Sequence, residues 1–214
     1  QLADAMIKKG LRKNDKVAFM FYNCPEFIEI NFAVQAAGAI PVPMNYRFVA
    51  KEIEYQLNHC DARLFIYEAA FREAVAEAAP RLTGIETFVC LGAPGEKDGP
   101  EYESFLASGR SEDPKVPTSW DDIAVMIYTG GTTGFPKGVM LTYGGHLDMF
   151  CHLFASILTR AATVDLSQEQ LQAMTKMVSL PGVGMLSGLA RTKLARKILS
   201  SKKTYHTVEK AVRY

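Results

Sequence analysis

No two cysteines lie close together in this chain. Cys24, Cys60, Cys90 and Cys151 stand 36, 30 and 61 residues apart, which excludes the short spacing of a zinc knuckle or a dithiol redox pair. They read as small apolar side chains of a reducing compartment. No run of 18 apolar residues occurs, so no membrane-spanning helix is legible, and the start lacks the basic, apolar and cleavage-site succession of a secretory leader. These absences point to the cytoplasm. There is no Gly-x-Gly-x-x-Gly fingerprint of a dinucleotide fold and no repeat of fixed period. Acids are nearly missing from the end of the chain: residues 176–214 hold nine Lys or Arg against Glu209 alone. The remaining fifteen bases face twenty-two acids, so the body carries −7 and the tail +8. Two electrostatic regions are joined in one chain.

What is present is ordinary for a globular protein, with 48% apolar and 22% charged residues. A chain of 214 residues buries roughly 70% of its unfolded surface, enough for a substantial core. Strand and helix patterns alternate. "LADAMIKKG" has helical spacing up to Gly10, and "KVAFMFYN" (16–23) is apolar and β-rich, as a buried parallel strand is. Pro25 opens a helix that stops near Gly38. "AIPVPMN" (39–45) is short and apolar, and its two prolines favour an extended edge or a strand entrance over a central position. A helix with Ile53 and Leu57 on one stripe, a strand over 62–67, a helix up to Pro80 and a strand over 85–92 continue the rhythm. This order predicts an α/β fold: a layered, largely parallel sheet flanked by helices. Residues 92–121 read as an exposed excursion with a short helix near 101–107, and Trp120 as an apolar anchor at the start of the next strand. That strand, 123–128, leads into the loop at 128–138, followed by a return strand (138–143), a helix from His146, and a capping-box start at Ser167 and Gln170.

The loop "YTGGTTGFPKGV" gathers the groups that polyphosphate oxygens require. Gly130, Gly131, Gly134 and Gly138 free the backbone to turn amides inward. Thr129, Thr132 and Thr133 add hydroxyl donors, Lys137 adds a positive charge, and Pro136 limits where that charge swings. It is not the P-loop pattern, since Pro136 precedes Lys137 and Gly138 follows it. A polar hairpin turn is the competing reading, although such a turn has no need of so many threonines.

"YTGGTTGFPKGVMLTY" resembles the signature phosphate loop of the adenylate-forming enzymes, the acyl-CoA synthetases and their luciferase and peptide-synthetase relatives. "GLRKNDKVAFMFYNCPEFIEINFAVQAAGAIPVPMNYRFVAKEIEYQLNHCDARLFI" is similar to the region preceding that loop, and the resemblance covers roughly residues 1–155. It implies a partial N-terminal domain of the adenylate-forming fold over 1–160, with 161–214 an uncertain helical basic tail. It implies ATP and Mg²⁺ as cofactors, a small-molecule carboxylate as substrate and coenzyme A as the co-substrate of the full-length parent. Thr129, Gly130, Gly131, Thr132, Thr133 and Gly134 would cradle phosphate, Lys137 would neutralise it, and Thr133 would stand near magnesium. The family usually carries serine or threonine where Gly130 stands and often histidine where Tyr143 stands.

The family's adenine pocket, magnesium-binding glutamate, ribose-binding aspartate and C-terminal catalytic lysine have no counterpart here, so no catalytic residue is assigned. "SLPGVGMLSG" places Gly182 and Val183 where an aromatic-histidine pair is expected. Three accounts stay open: a fragment, a truncated product, or a member with a replaced C-terminal part. The expected function is ATP-dependent activation of a carboxylic acid as an acyl adenylate, with transfer to coenzyme A, by a parent of which this chain alone is inactive. The alternative is a non-catalytic nucleotide-binding or protein-interaction α/β domain. His59, His146, His152 and His206 form no metal-like pattern, and Glu26 and Glu29 read as helix-start charge. The basic tail is either a solvated helix or a contact for anionic surfaces. No specific nucleic-acid partner is expected, and a homo-oligomer is left open.

Overall fold

The computed structural model describes residues 1–97, 99–130 and 136–163, with side chains up to 153. The expected helix from Ser167, the basic tail and the loop interior 131–135 lie outside the described residues. The chain divides into two compact units, Gln1–Tyr143 and Gly144–Tyr214. In the first unit a four-stranded parallel sheet runs in the order β2-β1-β3-β4, built from β1 (Lys16–Met20), β2 (Ile40–Pro43), β3 (Ala62–Glu68) and β4 (Thr87–Leu91). Helices α1 (Leu2–Lys8), α2 (Pro25–Ala36), α3 (Ala50–His59), α4 (Arg72–Ala78) and α5 (Tyr102–Ala107) connect and cover it. The strands β5 (Ile123–Thr129) and β6 (Lys137–Thr142) form a separate antiparallel ribbon, followed by α6 (Tyr143–Thr163). No helix among the described residues is long and apolar enough to cross a membrane.

The sheet is apolar on both faces because helices lie on both. Along β3, Phe65 and Tyr67 join Ala18, Met20, Ile53, Leu57, Val75 and Phe88 in one core. Leu64 and Ile66 point the other way, toward Met6, Val17, Phe19, Ile30, Val34 and Phe105. This is the period-two alternation of a strand buried on both sides, which makes the sequence an unbroken apolar run. The helices begin and end for local reasons. Pro25 sits in the first turn of α2 with Glu26, where its missing N–H costs nothing, and Gly38 beyond the end has φ +72°. In α3 the Glu52 carboxylate accepts the Val49 N–H at 2.9 Å, the returning half of a capping box.

The prolines of β2 decide where the sheet stops. The Ile40 N–H donates to the Asp15 carbonyl at 2.8 Å and the Met44 N–H to that of Phe19 at 2.9 Å. The even-numbered amides of β2 therefore face β1, and positions 41 and 43, both proline, face away. That edge has no N–H to offer a fifth strand. β5 lies alongside β2 and ladders with β6 instead.

The excursion after β4 departs from the expectation of exposure. Tyr102 and Phe105 of α5 are buried within the second core, because their faces have the α1 and α2 side chains to pack against. The Tyr102 hydroxyl donates to Glu29 Oε2 at 2.9 Å, so Glu29 ties α2 to α5 beyond any helix-start role. Asp4, itself buried, accepts the Arg110 backbone N–H at 2.9 Å and its guanidinium at 3.0 Å, with Lys8 also at 2.9 Å. Lys13 reaches Asp122 at 2.7 Å and the Pro117 carbonyl at 2.9 Å. Trp120, expected as an anchor, is 54% exposed; the turn before β5 is held by Asp122 and Lys13 instead.

Candidate functional site

The ribbon pairs from Ile123↔Thr142 to Thr129↔Lys137. Its last rung therefore sets two of the expected phosphate-binding residues opposite each other, and residues 130–136 bridge them. Thr129, Gly130 and Lys137 are all exposed. The Thr129 hydroxyl donates to the Lys137 carbonyl at 3.4 Å, a long, solvent-facing bond that an incoming phosphate oxygen can replace without stranding a buried group. Gly131, Thr132, Thr133 and Gly134 lie outside the described residues, as does Phe135.

The loop's described glycines, Gly130 and Gly138, differ in what surrounds them. Among the described residues the left-handed glycines are Gly10, Gly38 and Gly92. At Gly130 a β-carbon would meet nothing within 4 Å among the described residues. Gly138 sits in regular β6 opposite Tyr128, where a β-carbon would come within 3.1 Å of Met126 Sδ and 3.2 Å of Tyr128 Cε2. Its bare backbone lets those side chains lie across the ribbon.

The ribbon is anchored to the helices that flank β2. Gln35 Nε2 of α2 donates to the Ala124 carbonyl at 2.9 Å. From α3, the Tyr55 hydroxyl donates to the Pro136 carbonyl at 2.9 Å, and His59 Nδ1 shares a 2.6 Å hydrogen bond with the Tyr128 hydroxyl. Burial pushes the Tyr128 hydroxyl well above the ordinary phenol range, with Cys60, Tyr55 and Asp61 adding to the effect, so it stays protonated at neutral pH. The sequence reading gave His59 no role. The signal available was the Tyr55–His59 spacing of four on a helix whose neighbouring stripe is core, but their partners lie 81 and 69 residues away.

The donor set is backbone, hydroxyl and ammonium. Among the described residues no three His, Cys, Asp or Glu side chains gather to hold a metal ion. Such a set suits a polyphosphate that brings its own magnesium, an ion commonly shared with substrate phosphates rather than caged by protein. A cleft of about 400 Å³ lined by Asp15, Lys16, Asn58, Asp61, Arg63 and Thr83 lies elsewhere, at the beginnings of the strands. In open α/β sheets ligands bind at the opposite strand ends, and Arg63 is already paired with Asp15 and Glu86.

The fold class is thus a helix-flanked parallel sheet with a glycine-threonine-lysine loop carried on an antiparallel ribbon. The chain belongs to the AMP-binding enzyme family, whose profile matches residues 1–179. It is 34% identical over 159 residues to the medium/long-chain-fatty-acid–CoA/3-oxocholest-4-en-26-oate–CoA ligase of Mycolicibacterium smegmatis, covering 72% of this chain and 28% of that protein. It is 34% identical over 145 residues to the feruloyl-CoA synthase of an Amycolatopsis species, covering 67% and 26%. The chain therefore spans little more than a quarter of these relatives. Among solved structures, a long-chain-fatty-acid-CoA ligase from Archaeoglobus fulgidus superposes with a TM-score of 0.60 at 27% identity, over 69% of this chain and 29% of that one. An anthranilate CoA ligase in complex with anthranoyl-AMP superposes with a TM-score of 0.67 over 72% and 30%; at 23% identity it speaks for the fold alone.

Proposed function

We propose that this chain supplies the phosphate-loop part of an ATP-dependent ligase that activates a carboxylic acid as its acyl adenylate and passes the acyl group to coenzyme A. The observation that carries this reading is the rung pairing Thr129 with Lys137, both exposed, at the mouth of a glycine-threonine loop in a member of the AMP-binding family. A carboxylate acylates poorly because its leaving group would be oxide. Attack of its oxygen on the α phosphorus of ATP breaks the bond to pyrophosphate and leaves a mixed anhydride whose leaving group is AMP. Thr129, Gly130, Gly131, Thr132, Thr133 and Gly134 would hold the β and γ phosphates through amides and hydroxyls, and Lys137 would balance charge gathering on the departing pyrophosphate. Magnesium, when bound near Thr133, supplies further charge neutralisation. The loop provides no nucleophile; its contribution is electrostatic and positional.

Relatives that bear the names of fatty-acid and feruloyl ligases support a carboxylate substrate and a coenzyme A acceptor. Calorimetry with Mg-ATP on the intact chain tests the phosphate loop. Measurable heat that Thr133→Ala and Lys137→Ala diminish supports it, and its absence in the unsubstituted chain rejects it. ATP–pyrophosphate exchange with a panel of carboxylates tests the chemistry; the chain alone is expected to bind without exchanging.

A further inference from the structure

We infer that Tyr55 and His59 are positioning residues for the phosphate loop, each holding one of its two stems from helix α3. The structural part of this inference stands on the hydrogen bonds alone; its consequence for nucleotide binding rests on the function proposed above.

Residues four apart on a helix share a face, and α3 is a firm base, since Ile53 and Leu57 are buried in the first core. On the neighbouring face the Tyr55 and His59 rings lie 5.3 Å apart at 31°. Tyr55 then ties the outgoing stem through the Pro136 carbonyl at 2.9 Å. His59 ties the incoming stem through the Tyr128 hydroxyl at 2.6 Å, and their rings meet edge to face at 5.6 Å. The points of attachment are well chosen physically. Pro136 has a fixed φ, so holding its carbonyl orients the chain just before Lys137. Tyr128 lies across Gly138, so fixing its ring also fixes the rung beside Thr129↔Lys137.

The ribbon needs such ties. A two-stranded hairpin is marginal by itself in water, and β6 is largely exposed. A phosphate cradle must hold its donors to about half an ångström. The base of β5 is fixed by core packing and by Gln35, while the exposed loop end has only its own rungs; two bonds from one helix, one to each stem, restrain that end.

The test uses the 214-residue chain carrying Tyr55→Phe, His59→Ala, His59→Asn, or Tyr55→Phe with His59→Ala. Tyr55→Phe removes only the hydroxyl, and asparagine keeps a side-chain acceptor close to the position of Nδ1. Amide hydrogen exchange is followed in peptides covering 129–138 and in peptides covering β1 and β3. The double variant is expected to exchange about tenfold faster over 129–138, with β1 and β3 unchanged, His59→Asn close to the parent and Tyr55→Phe intermediate. Mg-ATP affinity is expected to fall several-fold in the same order. Unchanged exchange over 129–138, or an equal rise in β1 and β3, overturns the inference, the second by showing that the residues merely pack. Faster loop exchange in a chain that never binds Mg-ATP supports the two ties and removes the nucleotide reading instead.

Discussion

The parallel sheet and the β5–β6 ribbon belong to the same compact unit and differ in how much of each is buried. In the sheet nearly every side chain of β1 and β3 is buried, on both faces. In the ribbon Ala124, Val125 and Met126 are buried but Ile127, Val139 and Met140 are 41%, 42% and 59% exposed, and the end toward the loop is held by hydrogen bonds from Tyr55 and His59. The sheet draws its stability from apolar area. The ribbon packs one face of β5 into that core, and its loop end adds directional bonds, which contribute little free energy each but specify geometry. The exposed end of the ribbon can thus be oriented by a few donors while its base shares the core.

The sharpest way to break this contrast is to truncate one side chain in each region. Phe65, fully buried and packed against Tyr67 and Phe88, is expected to cost about 3–5 kcal/mol on Phe65→Ala by chemical denaturation. Met140→Ala on the ribbon should stay within about 0.5 kcal/mol; a comparable loss at both sites would show that the ribbon shares the core's cooperativity. Next in size, Lys137→Ala should lower Mg-ATP affinity about tenfold, roughly 1.4 kcal/mol, while the thermal midpoint barely moves.

Acid probes the ties of the excursion. Asp4 is held well below the usual carboxylate range by the Arg110 backbone N–H first, then by the Arg110 and Lys8 side chains, and Asp122 is lowered chiefly by Lys13. A carboxyl whose folded pKa is depressed contributes stability above its unfolded value of about 4 and loses it as pH falls toward the folded one. The thermal midpoint should therefore drop as pH is lowered below about 4, and Asp4→Asn should start lower at neutral pH and fall less steeply. The smallest effect is expected at Gly130, where a β-carbon would meet none of the described residues. Gly130→Ser should leave stability within about 0.5 kcal/mol and strengthen Mg-ATP binding a few-fold by adding a hydroxyl donor. Weaker binding would mean that the bare backbone itself is needed.

Much of the architecture was legible because local and global signals agreed. The unbroken apolar runs of β1 and β3, the Pro25 start of α2 and the Ile53–Leu57 stripe of α3 each report their own burial, since core contacts demand apolar side chains at fixed spacing. The prolines at 41 and 43 announced an edge for a reason written in their chemistry. Legibility failed where a residue's partner is remote. Tyr102 and Phe105 looked like part of a polar excursion, and nothing local shows that α1 and α2 present a surface to receive them. Trp120 looked like an anchor by its size, and only the fold leaves it in solvent. His59 carried no motif at all.

The order of residues along the chain was sufficient for the αβ alternation, the sheet edge and the loop's chemical inventory, because backbone propensity, missing N–H groups and donor types are properties of single residues or short spacings. The grip of helix α3 on both stems arises only when segments 69 and 81 residues apart meet. Hydrogen bonds across such separations leave no periodic trace in sequence, so the aim of the loop is a property of the assembled fold.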